Sequence, residues 1–525
     1  MYNGAMRKFL YLTVFVSGLT SLAIEMAASR LLGNYFGASN LIWASIIGLI
    51  LIYLTVGYFL GGRWADRSPR YETFFKILSW SGLLIGLVPL ASRPVLRIAA
   101  QAFDQIQLGG MIGAFIAVLI LFSIPITLLG TASPFAIRLS LLDTRQAGSI
   151  AGRIYAISTL GSFVGTFLPV LLTIPLIGTY RTFVAFGLLL LIVALIGLGR
   201  VAGLRAVLPL AWMPILLIVL GILGTRGSDK NTTGMIYEGE SAYNYIMVQE
   251  IEQYRLLRLN EGQGVHSVYH PTVVDYKGPW EQVSVAPFFN PAPYDINKVE
   301  RIAIVGMAAG TAARQATLIY GPDVQIDGFE IDPKIVAVGE QFFDMKQPNL
   351  HVFVEDGRVG LRNSPYRYQI ISVDAYRPPY IPWHLTTQEF FQIIYDHLSD
   401  DGVMVINVGR TPNDRRMIDA LAFTIQTVFP SVYVTDIPNS FNTMIFATRQ
   451  PTRPENLAQN QAALLALNPP CHPLLTDTLA VTLANLQPTP TQGTLFTDDK
   501  ASVEWLTNSM VIDFFLSGSL EETLQ

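Results

Sequence analysis

Long apolar runs crowd the first 225 residues of the chain and are absent afterwards. Seven of them have the length that a bilayer-spanning helix requires: 9–32, 41–60, 74–90, 111–130, 154–177, 182–198 and 207–224. The segment 93–108 is amphipathic and is expected to lie along an interface. A polar linker, 225–233, ends this region. Beyond it the period changes. Segments 245–251 and 254–259 alternate apolar and polar positions, which predicts a small antiparallel sheet. From 301 onward short apolar runs read as buried parallel strands, and each stops at glycine or a carboxylate. The first ends at Gly306, with Gly310 four residues on, and the second at Glu330-Ile331-Asp332-Pro333. The third ends at Asp356-Gly357 and the fourth at Asp374. The expected architecture is an α-helical membrane domain (1–226), then a small antiparallel β lid (235–290), then an α/β Rossmann-like domain (298–450). A tail (451–525) with helical and acidic segments follows, and it includes a Pro/Gln/Asn-rich connector at 456–492.

Composition sharpens this picture. Charged residues are only 14% of the chain and mean hydropathy is +0.40, too apolar for a soluble enzyme of this size, so a lipid bilayer is an expected partner. Net charge is −4, which gives no reason to expect nucleic acid. One cysteine, Cys471, rules out an internal disulfide framework, and six scattered histidines make a metal site unexpected. Basic residues fall mostly on one side of the spans: Arg7 and Lys8, then the cluster from Arg63 to Lys76, then Arg138, Arg145 and Arg153, then Arg200 and Arg205. The other side has Arg93, Arg97 and Arg181. The positive-inside rule then places the amino terminus in the cytoplasm. Seven spans would put the carboxyl-terminal domain outside, and one span more or fewer would reverse that. Glu25 and Arg30 lie inside the first run, where charge is costly. Their five-residue spacing puts them on different helix faces. The segment 61–67, Gly-Gly-Arg-Trp-Ala-Asp-Arg, reads as a tight turn carrying a charge pair.

In a doubly wound sheet the carboxyl ends of parallel strands form the ligand edge, and an acid after the second strand meets ribose hydroxyls. Glu330, Asp356 and Asp374 thus read together as a nucleoside site. Taken singly, each has a plainer explanation. Strand-to-helix turns need glycine anyway, and Glu330 could merely precede a helix capped by Asp332 with Pro333 in its first turn. Asp374 could orient a ligand without taking a proton. His384 is near enough in sequence to reach the pocket or to pack at the surface. Asp498 and Asp499 could close over a cationic substrate or form a solvated turn.

The order of these motifs resembles the polyamine synthases, the spermidine-synthase-like aminopropyltransferases with a Rossmann-like methyltransferase fold. The resemblance rests on Glu330-Ile-Asp-Pro, Asp356-Gly357, Val373-Asp374 and Thr387-Gln-Glu-Phe-Phe, and covers roughly 241–449. Glu25, Arg30-Leu-Leu-Gly, Phe36-Gly37 and Gly152-Arg-Ile-Tyr155 are similar to the membrane half of fused members. The resemblance implies S-adenosylmethionine or its decarboxylated form as cosubstrate, with no metal. Glu330 would hold the ribose, Asp356 the adenine amino group, and Gly306, Gly310, Ile331 and Gly357 would line the nucleoside. Asp374 would be the base that frees an amine nucleophile. Tyr243-Asn244 and Asn260-Glu-Gly262 stand for the family's lid residues, and Tyr376 would lie on the substrate side. Two places depart from the pattern: Ala309 and Arg377 replace carboxylates that grip ammonium groups. Efficient spermidine synthesis is therefore not expected. The implied activity is transfer of an aminopropyl, aminocarboxypropyl or methyl group to a small acceptor such as an amine, in a chain compatible with a homo-oligomer. The alternatives are a nucleoside-binding transporter or sensor, and a site without catalysis.

The loop charges make a direct prediction. A cysteine placed at Ser68 should resist a membrane-impermeant thiol reagent in intact cells and react after permeabilisation. Ready labelling in intact cells would reverse the orientation.

Overall fold

The computed structural model describes residues 4–36, 40–103, 109–141, 144–224, 232–260, 264–376, 380–411 and 413–516. The chain divides into two compact units, Met1–Asn231 and Thr232–Gln525.

Among the described residues the first unit contains seven helices long and apolar enough to cross a membrane: Gly4–Phe36, Ile42–Arg67, Tyr71–Ala99, Gly113–Ser140, Ala147–Ile177, Thr179–Ala202 and Leu204–Gly224. Gly4–Phe36 is the most enclosed of them. It packs closely on the helix Ala147–Leu168 because small residues let the two backbones touch. A Cβ added at Gly161 would lie 2.1 Å from the Phe15 carbonyl oxygen, and one at Gly165 would lie 2.1 Å from that of Leu19. Two local expectations fail. The part of the expected interface segment at 93–103 is not separate, because the third helix runs unbroken from Tyr71 through Pro89 and Pro94 to Phe103, and 104–108 lies outside the described residues. Its amphipathic pattern is that of a helix end. Residues 61–67 are not a turn either, since they complete the helix Asn40–Arg67, where Asp66 pairs with Arg138 at 3.2 Å.

The second unit begins with a four-stranded antiparallel sheet, β1 (Met235–Glu240), β2 (Tyr245–Ile251), β3 (Tyr254–Leu259) and β4 (Ser267–Tyr269). Glu252 and Gln253 both take positive φ (50° and 70°) between β2 and β3, which matches the twist of a two-residue hairpin. The inward residues Ile246, Val248, Leu257 and Leu259 cluster with Ala309, Ile335, Val338 and Phe343 of the nucleotide fold.

The main sheet is built from β5 (Arg301–Val305), β6 (Gln325–Phe329), β7 (Leu350–Phe353), β8 (Tyr368–Val373), β9 (Leu398–Gly409), β10 (Ser431–Asp436), β11 (Asn442–Thr448) and β12 (Leu486–Gln487). Their order is β12-β10-β11-β9-β8-β5-β6-β7. Strands β5 to β9 pair in parallel, while β11 pairs antiparallel with β9 and with β10, and β12 antiparallel with β10, so β10 runs in the direction of the parallel strands. Apart from the short β12, this is the strand order of the Rossmann-like methyltransferase fold. The chain reverses direction of travel across the sheet between β5 and β8, and ligands sit in the crevice at such a switch point.

The tail carries helices within the Pro/Gln/Asn-rich stretch, Glu455–Leu465 and Pro473–Ala484. Leu457, Leu464, Leu474, Leu475 and Leu479 bury against the sheet. Asn460, 1% exposed, anchors the first of these helices. Its Nδ2 donates to the carbonyls of Phe288 and Asn290 at 2.8 and 2.9 Å, and its Oδ1 accepts from Tyr294 N at 2.8 Å. Asn460→Ala should therefore orphan three buried backbone groups and destabilise the second unit by about 3 kcal/mol. A denaturant midpoint by tryptophan fluorescence on the full chain would show it. An unchanged midpoint would mean that water replaces the amide without cost.

Candidate active site

Strand register brings the chemistry together. Val305 lies opposite Phe329 on one side and Val373 on the other, so the residues that follow, Gly306, Glu330 and Asp374, emerge at one edge. Gly306 has φ +83°, and a Cβ there would stand 2.5 Å from Ala375 Cα. Only glycine fits without strain. Its N–H and that of Met307 donate to the Phe329 carbonyl at 3.0 and 3.2 Å, while Asp374 N donates to the Val305 carbonyl at 2.9 Å.

Glu330 is buried and straps the glycine loop. Its Oε2 accepts from Ala308 N and its Oε1 from Asp332 N, each at 3.0 Å. Burial pushes its carboxyl up to about 7. Each oxygen keeps a second lone pair for a ligand hydroxyl. Asp332 caps the helix Pro333–Phe342 through Lys334 N, and its Oδ2 accepts from Asn244 Nδ2 at 3.0 Å and from Ser241 Oγ. Capping and ligand-facing roles are thus divided between the two acids of one motif, and the cap ties the lid to the nucleotide fold.

Asp356 caps the helix Gly357–Asn363 through Oδ1, which accepts from Arg358 N and Val359 N at 3.0 and 3.1 Å. Its Oδ2 accepts from His384 Nε2 at 2.9 Å. That hydrogen bond, with the two backbone donors, holds its carboxyl below the usual range. At Asp374, Oδ1 accepts from Asn407 Nδ2 at 3.0 Å, and burial pushes the carboxyl up to about 6. Behind it the Tyr376 hydroxyl donates to the Asn407 carbonyl at 3.1 Å and accepts from Gly409 N at 2.7 Å. Burial raises that hydroxyl far above its ordinary range.

These groups surround a cavity of about 330 Å³. Gly306, Glu330, Ile331, Asp356, Gly357 and Asp374 line it, and so do Tyr243, Asn244, Tyr376 and His384. Gly310 stands outside the lining. It caps the helix Thr311–Tyr320 at φ +82°, with the Met345 side chain packed on it. Asp498 is also elsewhere, in a bidentate pair with Arg358 at 2.8 and 2.6 Å and with Thr387 Oγ1 at 2.7 Å. Its neighbour Asp499 is exposed and outside the lining. Gly262 and Arg377 lie outside the described residues. Ala309 is 1% exposed and packed under the lid, with its N–H donating to Ser267 Oγ at 2.9 Å. Sequence reading did not single out Ala308, Leu259, Ile335 or His266, all of which line the cavity. The Nε2 of His266 is buried without a hydrogen-bond partner. Burial, with Arg258 nearby, pushes its ring down to about 4, so it is neutral at physiological pH. As a lone histidine after a glycine-containing stretch of sequence it carries no motif. Among the described residues no lysine or arginine lines the cavity. No cluster of three metal-ligating acid, histidine or cysteine side chains occurs among the described residues.

Residues 292–460 match the Spermine/spermidine synthase domain family. Within the carboxyl-terminal unit, this stretch is similar to spermidine synthases. A probable polyamine aminopropyl transferase of Bifidobacterium longum is 32% identical over 295 residues, covering 52% of this chain and 62% of the relative. This chain thus spans under two thirds of that relative's length. A polyamine aminopropyltransferase of Corynebacterium efficiens is 26% identical over 423 residues, covering 76% of this chain and 77% of its own. That length exceeds Thr232–Gln525, so the similarity reaches into the helical unit. A crystal structure of a probable spermidine synthase from Corynebacterium glutamicum is 19% identical with a TM-score of 0.38, over 50% of this chain and 99% of that one.

In the carboxyl-terminal unit Asp498 serves the buried Arg358 guanidinium, which is only 10% exposed against 40% for the aspartate. Asp498→Ala should lower stability by about 1–3 kcal/mol by leaving that cation unpaired while nucleoside affinity stays unchanged. Thermal unfolding and calorimetry on the same variant separate the two. A large loss of affinity with normal stability would instead place Asp498 over the ligand.

Proposed function

We propose that the chain is a membrane-anchored spermidine-synthase-like transferase that binds an adenosyl sulfonium cosubstrate and passes its aminopropyl-type group to an amine. The observation that carries this reading is the convergence of Glu330, Asp356 and Asp374 on one cavity that no described cation lines. Such a site favours a sulfonium and an amine, both cationic. Seven apolar helices support the membrane anchor, with the amino terminus in the cytoplasm. The curated relatives named as aminopropyltransferases support the reaction class.

The contacts support a division of roles. Glu330 takes the ribose hydroxyls on its free lone pairs. Asp356, oriented by His384 and two backbone N–H groups, accepts from the adenine amino group. Asn407 occupies one oxygen of Asp374, and the other faces the cavity as base. The amine nitrogen attacks the carbon beside sulfur, so a C–N bond forms as the C–S bond breaks. The bonding pair leaves on sulfur as a neutral thioether, and the proton lost from nitrogen passes to Asp374. Because the leaving sulfur sheds its own positive charge, the step needs positioning and a base rather than an acid.

The decarboxylated donor is the better fit. A donor keeping its carboxylate would add a negative charge beside three carboxyls without a described counter-charge. Ala309 weakens the grip on the donor's ammonium, and the overall negative field of the cavity partly offsets that loss.

A base acts only when ionised, so turnover should be present above pH 6 and fall about tenfold per unit below it, following Asp374. Asp374→Asn should cut kcat by about 10²–10⁴-fold with donor binding intact. Glu330→Ala should instead weaken donor binding by about 1–3 kcal/mol. The readouts are steady-state kinetics and calorimetry with methylthioadenosine. If both variants lose binding and turnover equally, these separate roles are wrong.

A further inference from the structure

Asp374 follows the last residue of β8, and its neighbour across the sheet is Asn407 of β9. Register pairs Val373 with Ile406, so the residues that follow on these two parallel strands stand side by side. Asn407 Nδ2 donates to Asp374 Oδ1 at 3.0 Å. Among the described residues no other side chain donates to that carboxyl. Glu330, Asp356, His266, His384 and Tyr243 share the cavity, and Tyr376 follows on the same loop, but none of them hydrogen-bonds it. The strand on the other flank, β5, brings only Val305 and Gly306 alongside, and neither titrates.

The amide is held in place from behind. Asn407 is 6% exposed. Its backbone carbonyl accepts from the Tyr376 hydroxyl at 3.1 Å, and that hydroxyl accepts from Gly409 N at 2.7 Å. Tyr376 thus staples the loop after Asp374 to the end of β9, which fixes the separation of amide and carboxyl. Asn407 Oδ1 is buried with no hydrogen-bond partner. Packing alone would be served as well by leucine, so a buried orphan of this kind marks a functional demand. The end of the amide that does have a partner is the one facing Asp374.

A donor on a carboxylate oxygen favours the charged form, while burial favours the neutral one. At Asp374 the two oppose each other: burial pushes the carboxyl up and the amide holds it down, which leaves it at about 6. With Oδ1 occupied by Nδ2, the lone pairs of Oδ2 remain for the proton of the attacking amine. We propose that Asn407 is the positioning residue of this site, whose amide keeps Asp374 ionised at physiological pH and turns its second oxygen to the substrate. The inference rests on the reading of Asp374 as base and adds the group that makes it one.

The test compares Asn407→Leu, which removes the amide, with Asn407→Asp, which keeps its shape but sets a second carboxyl beside the first. Infrared difference spectroscopy of the full chain in lipid nanodiscs follows protonation of Asp374 without substrate, and the signal is assigned by its loss in Asp374→Asn. A carboxyl that loses its donor holds its proton to higher pH, so both variants should raise the titration midpoint by about one pH unit or more. The acid limb of kcat should move up with it, so that turnover lost near pH 6 returns by about pH 9, while KM for the donor stays within about twofold. A merely structural amide would let Asn407→Asp titrate as the unmodified chain does. An unmoved midpoint in either variant, or no titrating signal removed by Asp374→Asn, would overturn the proposal. No turnover in the unmodified chain would instead count against the transferase reading, and the infrared midpoint would still decide the role of Asn407.

Discussion

Parallel pairing of β5 with β6 on one flank and β8 on the other is the constraint from which the site follows. Parallel strands in register end together, so whatever follows Val305, Phe329 and Val373 is delivered to a common edge. Gly306 then turns where a side chain would strike Ala375, and this lets Asp374 sit against the loop. Glu330 closes the arrangement by accepting from Ala308 and Asp332. A carboxylate that both shapes the loop and faces the cavity cannot be moved without moving the loop. Ligand geometry is set by the backbone before any ligand arrives.

The electrostatics divide the three acids. Glu330 and Asp374 are pushed up by burial, to about 7 and about 6, whereas Asp356 is held low by His384 and two backbone donors. The ionised acceptor at Asp356 suits recognition, the carboxyl of Asp374 that titrates near neutrality suits proton transfer, and Glu330 can hydrogen-bond hydroxyls in either protonation state. One sheet edge thus presents acids of the same type in different protonation regimes, separated by the donors around each.

The strand-end acids were legible because a buried parallel strand is a short apolar run, and its end is marked by the first polar residue. The seven long apolar helices were legible for the same reason, since length and hydropathy are local properties. What escaped depends on packing between distant segments. The bounds of the tail helices Glu455–Leu465 and Pro473–Ala484 hide among prolines and amides. Their leucines become meaningful only against the sheet, and Asn460 only against Phe288 and Asn290. His266 reaches the cavity through the fold of the lid, which no local pattern announces. Asp498 looked like part of an acidic closure because its neighbour is also acidic, but its partner, Arg358, lies far away in sequence. Ala309 matched the place of a family carboxylate by alignment, yet its buried position under the lid decides what a side chain there can touch.

The central claim is that this edge carries out transfer from an adenosyl sulfonium to an amine. The direct measurement is incubation of the purified full chain with decarboxylated S-adenosylmethionine and, separately, S-adenosylmethionine, each with a diamine. Mass spectrometry then identifies the nucleoside product and the modified amine. The account predicts methylthioadenosine together with an aminopropylated amine from the decarboxylated donor, both lost in Asp374→Asn. Binding of neither donor, or binding of both with no thioether nucleoside formed, would contradict it.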